Sequence, residues 1–325
     1  MSSQSTHSNP GKLARVLAWV TVGATVPLLL IGGTVTTLRV GMAVPDWPTT
    51  FGENMFTYPL SEMLANMAVF WEHSHRLWAS GVGFLVVLTM IATCIGRHAF
   101  HAKVLSVVAF FAVSIQGMIG GFRVLENSQE LAFLHGSSAQ LVFAVFVSLA
   151  VVLSTRWRET DRRACKLTPN LRRWTVMASI AIYAQIVVGA WLRHSGQHAA
   201  RAVHLLLVLA VVLCVLRAAR ALRESYEDGE AGGHDRSVLL RQRRWLLNFL
   251  WAQIALGIVA TIAVFVFSGG FMERPSQLEQ VFATAHVAMG ALLFVTSVAT
   301  AMWSYRIVAT GDEMVAGGQV QEGVA

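Results

Sequence analysis

The chain has 325 residues, of which 55% are hydrophobic and 13% charged, with a mean hydropathy of +0.56 and a formal net charge of +7. A soluble domain of this length could not bury so much apolar surface, so the composition excludes one and indicates an all-α integral membrane protein. The basic balance does not imply a nucleic-acid partner, because the cations are segregated along the chain in the way a membrane topology requires.

Residues up to Pro10 form a short polar segment with neither a cleavable signal nor an Arg-rich transit peptide. Apolar runs follow at roughly 15–36, 75–95, 104–122, 131–154, 174–192, 202–222, 245–267 and 281–303. Most hold about 20 residues, enough for a helix rising about 1.5 Å per residue to cross about 30 Å of hydrocarbon. Strands of a membrane barrel would alternate over about 10 residues, and that alternation is absent. Glu224 to Asp235 and the residues after Arg306 read as disordered segments. Cys94, Cys165 and Cys214 are widely separated and form no CxxC.

Eight spans put both termini on one side. Six of the 25 basic residues (Arg39, Arg76, Arg123, Arg193, Arg201 and Arg274) fall on the other side. The remaining 19 share the side of the termini, so the positive-inside rule predicts cytoplasmic termini.

The third, fifth and seventh spans carry Gln116-x-x-x-Gly120, Gln185-x-x-x-Gly189 and Gln253-x-x-x-Gly257, and the first carries Leu28-x-x-x-Gly32 at the matching place. The interval from Gln116 to His135 is 19 residues, and so is that from Gln185 to His204. The repeating unit is thus an odd span with a Gln/Gly face followed by an even span with a histidine. Four units divide the chain into a half at 11–155, a cytoplasmic linker at 156–169, a half at 170–307 and a tail at 308–325. Small residues at this spacing let backbones, or a flat macrocycle, approach closely, although ordinary helix packing explains the pattern as well.

His75, His135, His204 and His286 lie near the starts of the second, fourth, sixth and eighth spans, all toward the outer face. An imidazole within an apolar span is rare and usually functional. A single one could hydrogen-bond a neighbouring helix, but four at matched positions predict axial haem-iron ligands. Zinc would need three or four close ligands, whereas one imidazole per helix suits a macrocycle clamped from two sides. The natural pairs are His75 with His135 and His204 with His286. His73, His194 and His198 fall in or beside outer loops and His98 and His101 in an inner loop, where solvated roles are expected. His7 and His234 lie in segments read as disordered.

The densest cluster is Glu72-His73-Ser74-His75-Arg76. Glu72 and His75 share a helix face at a spacing of three. Glu72 is expected in the first helical turn, where the dipole favours a carboxylate, and that alone could explain it. Alternatively it serves proton transfer, or the stabilisation of positive charge on an oxidised substrate carbon, beside a haem edge. Arg76 could pair with a haem propionate or snorkel to the interface. No Glu precedes the other three histidines by three residues, so the halves are not equivalent.

Glu72-x-x-His75-Arg76, with Gly41-Met-Ala-Val-Pro-Asp46-Trp47-Pro48 and Gly189-Ala-Trp-Leu-Arg193-His194-Ser-Gly196, resembles the haem A synthase family along nearly the whole chain. The resemblance implies two pseudo-twofold related four-helix bundles in a bacterial cytoplasmic membrane. It implies oxidation of the C8 methyl of haem O to a formyl group, giving haem A for cytochrome oxidase. His75 and His135 would hold haem O, His204 and His286 a haem b that relays electrons, and Glu72 would be the essential carboxylate. Haem O synthase and the oxidase assembly machinery are the implied partners, besides membrane lipid. Three features depart from the family pattern. His73 stands where an aromatic is common, and Thr36 where an Arg is common, with Arg39 three residues on. There is no cysteine between residues 37 and 70, which excludes a thiol role in the first outer loop.

The chemistry expected from the resemblance is two successive hydroxylations to a geminal diol that loses water to the aldehyde. Bis-His ligation leaves no open iron position. Either a ligand leaves, or electrons are withdrawn from the macrocycle and water attacks the methyl cation. A di-haem b-type membrane electron-transfer cytochrome would account equally for four histidines, and the Glu72 asymmetry with the Asp46-Trp47 loop favours the synthase. A repeat-built transporter would instead predict broken helices near the midplane, which the Gly and Pro pattern does not strongly show.

Overall fold

The computed structural model describes residues 10–160, 163–164, 168–227, 237–268 and 275–309. His7, Cys165, His234, Arg274 and the residues from 310 onward lie outside the described residues. Contacts divide the chain into two compact units, residues 1–158 and 159–325.

In the first unit, α1 (Pro10–Thr37), α3 (Met67–Ile95), α4 (Phe100–Leu125) and α5 (Gln129–Leu153) are the long helices, with short α2 (Leu60–Ala65) and α6 (Thr155–Glu159) beside them. α1 packs on α3 and α5, and α4 closes the ring between those two. Asn66 and Ser128 start α3 and α5 by accepting bonds from the amides of Ala68 and Leu131. Ala18, Val86, Ala109 and Phe146 close the middle of this unit around a void of only about 10 Å³. The Thr21 and Thr89 hydroxyls, 3.3 Å apart, join α1 to α3 there.

In the second unit, β1 (Arg163–Ala164) precedes α7 (Thr168–Ser195), α8 (His198–Glu227), α9 (Ser237–Ile262), α10 (Gln277–Ile307) and β2 (Val308–Ala309). β1 and β2 form one two-residue parallel pairing. The helices again contact in a ring, α7 to α8 to α9 to α10 and back to α7. Thr175 bonds Ser304 at 3.1 Å and Thr300 donates to Gln242 at 3.2 Å, which ties α10 to α7 and α9. α9 ends in a π turn at Ala263–Phe267, where Ser268 N–H reaches the Ala263 carbonyl at 3.1 Å.

Among the described residues eight helices are long and apolar enough to cross a membrane, so the chain is an all-helical multi-pass membrane protein, with β1 and β2 as a minor tie. The helices outrun the apolar runs. α3 begins eight residues before the run at 75–95, and α8 continues to Glu227. Residues 224–227, expected to be disordered, are therefore helical. Exposed Arg220–Glu224 and Arg223–Glu227 pairs at 2.6 and 2.8 Å carry the helix past its apolar part.

Candidate functional site

The four histidines meet in two pairs, each inside one unit. The His75 and His135 ring centroids are 6.4 Å apart, and those of His204 and His286 are 6.5 Å apart. All four residues are half-buried. Each ring lies against the glycine of the preceding long helix. A Cβ on Gly32, Gly120, Gly189 or Gly257 would come within 2.8, 2.8, 3.1 or 2.9 Å of Cε1 of His75, His135, His204 or His286. The glycines of the repeat are therefore the seats of the imidazoles.

The glutamines of the repeat orient the same histidines. Gln116 donates to the His135 carbonyl at 2.7 Å and sits 3.1 Å from its Nδ1, and Ser138 fixes the amide by donating to Gln116 Oε1. Gln185 donates to the His204 carbonyl at 2.9 Å. Gln253 Nε2 is 3.3 Å from a ring nitrogen of His286, in space left by Gly290. Leu28 occupies the corresponding place in α1, and His75 Nδ1 has no hydrogen-bond partner among the described residues. Nδ1 of His204 and of His286 is likewise unpartnered.

This geometry fits a haem held by two imidazoles. A metal bonded to one nitrogen of each ring at about 2 Å places the centroids about 6 Å apart. Among the described residues no group of three or more His, Cys, Asp or Glu could hold a metal ion, and at a haem the porphyrin nitrogens would supply the other ligands. Replacing Gly120 by Ala should displace the His135 ring and empty the first pair, whereas Gly189→Ala, with 3.1 Å of room, should lose less. Haem content per purified chain checks this, and equal retention in both variants would show that the glycines are not seats.

Above the first pair lies the loop at 38–59, held from below by one face of α3. Arg76 Nη1 donates to the carbonyls of Asp46 and Thr49 at 2.6 and 3.1 Å, and its Nη2 to the Val44 carbonyl at 2.8 Å and Glu72 Oε1 at 2.7 Å. Glu72 Oε2 accepts from Val44 N–H at 3.0 Å. Arg123, at the end of α4, donates to the Gly41 carbonyl at 3.1 Å. Trp47 fills the space that Gly121 leaves open.

Three expectations are corrected here. Glu72 is the sixth residue of α3, capped by Asn66, so it lies in the second turn and not at the helix start. Arg76 is buried and does not snorkel. His73 is 1% exposed, bonded to Thr50 at 3.1 Å and packed on the Tyr58 ring, because the loop folds down over it. Its place in the motif is that of a loop anchor. His194 is half-buried, while His198 and His101 are exposed.

Asp46 organises the loop tip. It accepts from the Thr49 hydroxyl and from the amides of Phe51 and Gly52 at 2.8 and 2.9 Å, which supports left-handed Phe51 and Gly52. Burial pushes its carboxyl up, but these donors together outweigh that and hold it below the usual value of 3.8. A depressed carboxyl contributes stability above its ordinary pKa and loses it as pH falls through the lowered value. Asp46→Asn should therefore speed hydrogen exchange of the Phe51 and Gly52 amides several-fold at neutral pH. Unchanged exchange would mean that the turn holds without the charge.

The second unit has a buried acid that the sequence reading passed over. Glu279 is 7% exposed, seven residues before His286 and so two turns away on the same face, and it interacts electrostatically with half-buried Arg193. Ser276 caps α10 by accepting from Glu279 N–H at 3.2 Å. Glu279 is thus a first-turn acid of α10, as Glu130 is of α5; Ser276-x-x-Glu279 has the capping-box sequence, but the Ser276 N–H donates to Ser268 Oγ at 2.9 Å. A search for Glu at a spacing of three could not find it. A capping box two turns ahead of a span histidine would have.

Residues 15–203 match the family COX15-CtaA, described as cytochrome oxidase assembly protein. The chain belongs to this family. The match takes in Glu72, His75, Arg76 and His135 and stops one residue before His204. Among curated relatives, the chain is similar to the Heme A synthase of Exiguobacterium sp., 32% identical over 190 residues, covering 57% of this chain and 59% of that protein. It is also similar to those of Alkalihalophilus pseudofirmus, 28% over 187 residues (57% and 61%), and Shouchella clausii, 29% over 157 residues (46% and 48%). The matched stretch thus spans about three-fifths or less of these relatives' length.

Proposed function

We propose that this member of the cytochrome oxidase assembly family is a haem A synthase, which oxidises the C8 methyl of haem O to a formyl group and so supplies haem A to cytochrome oxidase. The observation that carries the reading is the His75–His135 pair under a loop latched by Glu72 and Arg76, inside the stretch that matches the family. In this reading the half at 11–155 takes haem O between His75 and His135. The half at 170–307 holds a haem b between His204 and His286, which supplies one-electron transfer when bound. Membrane lipid is the source of the farnesylated substrate. Haem O synthase upstream and the oxidase assembly machinery downstream are the partners. Both termini are cytoplasmic, on the side of the 19 segregated cations.

The residues divide the work. The glycines and glutamines seat and orient the imidazoles. Arg123 puts a guanidinium at the loop side of the pair, where a propionate carboxylate finds counter-charge, while Arg76, its four Nη hydrogens taken by the loop and Glu72, would meet a propionate only through its Nε–H. The loop, with Trp47 docked on Gly121, excludes bulk water from the reacting edge. Glu72 is the nearby carboxylate that stabilises positive charge developing at the methyl carbon or takes its proton. Its two anchors fix it in position before substrate arrives.

Pigments extracted from protein purified from a haem O-producing host test this. Mass spectrometry should find haem O or haem A beside haem b. Haem b alone would instead make the chain a di-haem electron-transfer cytochrome, a reading that the near-equal spacing of the two pairs also suits. No haem would sink both.

A further inference from the structure

A second site lies at the opposite end of the second unit from its histidines. A cavity of about 380 Å³ opens between the start of α7 and the end of α8, lined by Asn170, Arg173, Trp174, Arg217, Arg220 and Glu224. Its charge is unbalanced. Glu224 is taken by Arg220 at 2.6 Å, which leaves Arg173 and Arg217 as the excess cations. Both guanidiniums lie over the Trp174 ring, 5.5 and 5.4 Å from its centroid. The indole thus holds two like charges near each other, an arrangement that favours a shared anion between them. Guanidinium N–H groups bind oxygen acceptors, phosphate above all, in a fixed fork geometry. Immediately along the same two helices, Met177, Ile180, Leu209 and Leu213 are exposed apolar side chains. Polar cradle and apolar track together match a molecule with an anionic head and acyl chains.

We propose that this cavity binds the phosphate headgroup of an anionic phospholipid, with Arg173 and Arg217 on the phosphate oxygens, Asn170 beside them, and the acyl chains along the exposed face of α7 and α8. An indole at the end of a spanning helix sits at headgroup depth, and basic pockets between spanning helices on the cytoplasmic side take such lipids. The site uses no residue of the haem pairs and stands whether or not the proposed activity does.

The test is native mass spectrometry of the delipidated full chain with phosphatidylglycerol or phosphatidylcholine added, and with inorganic phosphate as competitor. The wild type should retain phosphatidylglycerol at least tenfold better than phosphatidylcholine, and millimolar phosphate should not displace it. The double variant Arg173→Gln/Arg217→Gln should lose that preference. Both positions are exposed, so the variant should fold, and an unchanged Tm and size-exclusion profile would confirm that it has. Arg173→Lys/Arg217→Lys should restore part of the preference. Equal retention of the two lipids, an unaffected double variant, or displacement by phosphate alone would each overturn the proposal, the last by showing a site for a soluble phosphate.

Discussion

Glu72→Ala should lower haem A formation by about 10²–10³-fold or more, the scale of losing one preorganised electrostatic group in an active site. A haem held by the second unit, as proposed, should be unaffected. The geometry argues for a large effect on two grounds. Removing Glu72 leaves buried Arg76 without its carboxylate, and breaking a buried ion pair costs about 3–5 kcal/mol. It also frees the Val44 amide, so the loop loses its anchor at the Val44 N–H and keeps only the Arg76 bond at the Val44 carbonyl. Glu72→Gln keeps the shape but can satisfy only one of the two donors, so it should fail nearly as badly. Arg76→Lys separates the roles. A lysine retains the charge but cannot reach Asp46, Thr49, Val44 and Glu72 together, so this variant should loosen the loop while leaving a carboxylate beside the substrate. If Arg76→Lys turns over slowly and Glu72→Ala stops, with the alcohol accumulating, the carboxylate acts on the reaction. If both fall equally and both expose the loop to proteolysis, Glu72 acts as a latch. Normal haem A formation by Glu72→Ala would remove it from the mechanism.

Much of this site is legible in the chain because the membrane simplifies the code. Backbone polar groups must be satisfied internally, so long apolar runs mean helices, and an imidazole among them stands out. The equal 19-residue intervals carry the pairing, since each places a Gln/Gly turn opposite a histidine across one antiparallel helix pair. The surroundings of His73 and Arg76 depend on chain returning from outside a span. Hydropathy ends a run at the first charges, so the early start of α3 was hidden and Glu72 was placed in the wrong turn. His73 reads as solvated only until residues 49–58 fold onto it. Arg76 reads as an interfacial cation until Asp46, Thr49 and Val44 turn their carbonyls toward it. Glu279 was hidden by the choice of spacing, since a repeat searched at three residues does not reveal an acid at seven.

Single replacements of the four histidines should fall into two classes. His75→Ala and His135→Ala should each remove the haem of the first unit and leave that of the second. His204→Ala and His286→Ala should do the reverse, and all four should lose activity. The reason is mutual dependence within a pair. With the rings of a pair 6.4 or 6.5 Å apart, each would hold a haem more weakly without the other. A lone imidazole in a half-buried groove competes poorly with the lipid phase for a haem. The glutamine contacts grade the outcome. His135 is held by Gln116 at its carbonyl and its ring, whereas His75, opposite Leu28, has no such support. A ring on a looser seat is the one that can leave the iron, so His135→Ala should cost more first-unit haem than His75→Ala. Pigment composition and the low-spin absorption of each purified variant provide the readout. Loss of the same pigment from His135→Ala and His204→Ala would break the pairing. Retention of both haems in His286→Ala would remove the second site, and with it the electron path that distinguishes this reading from a single-haem protein.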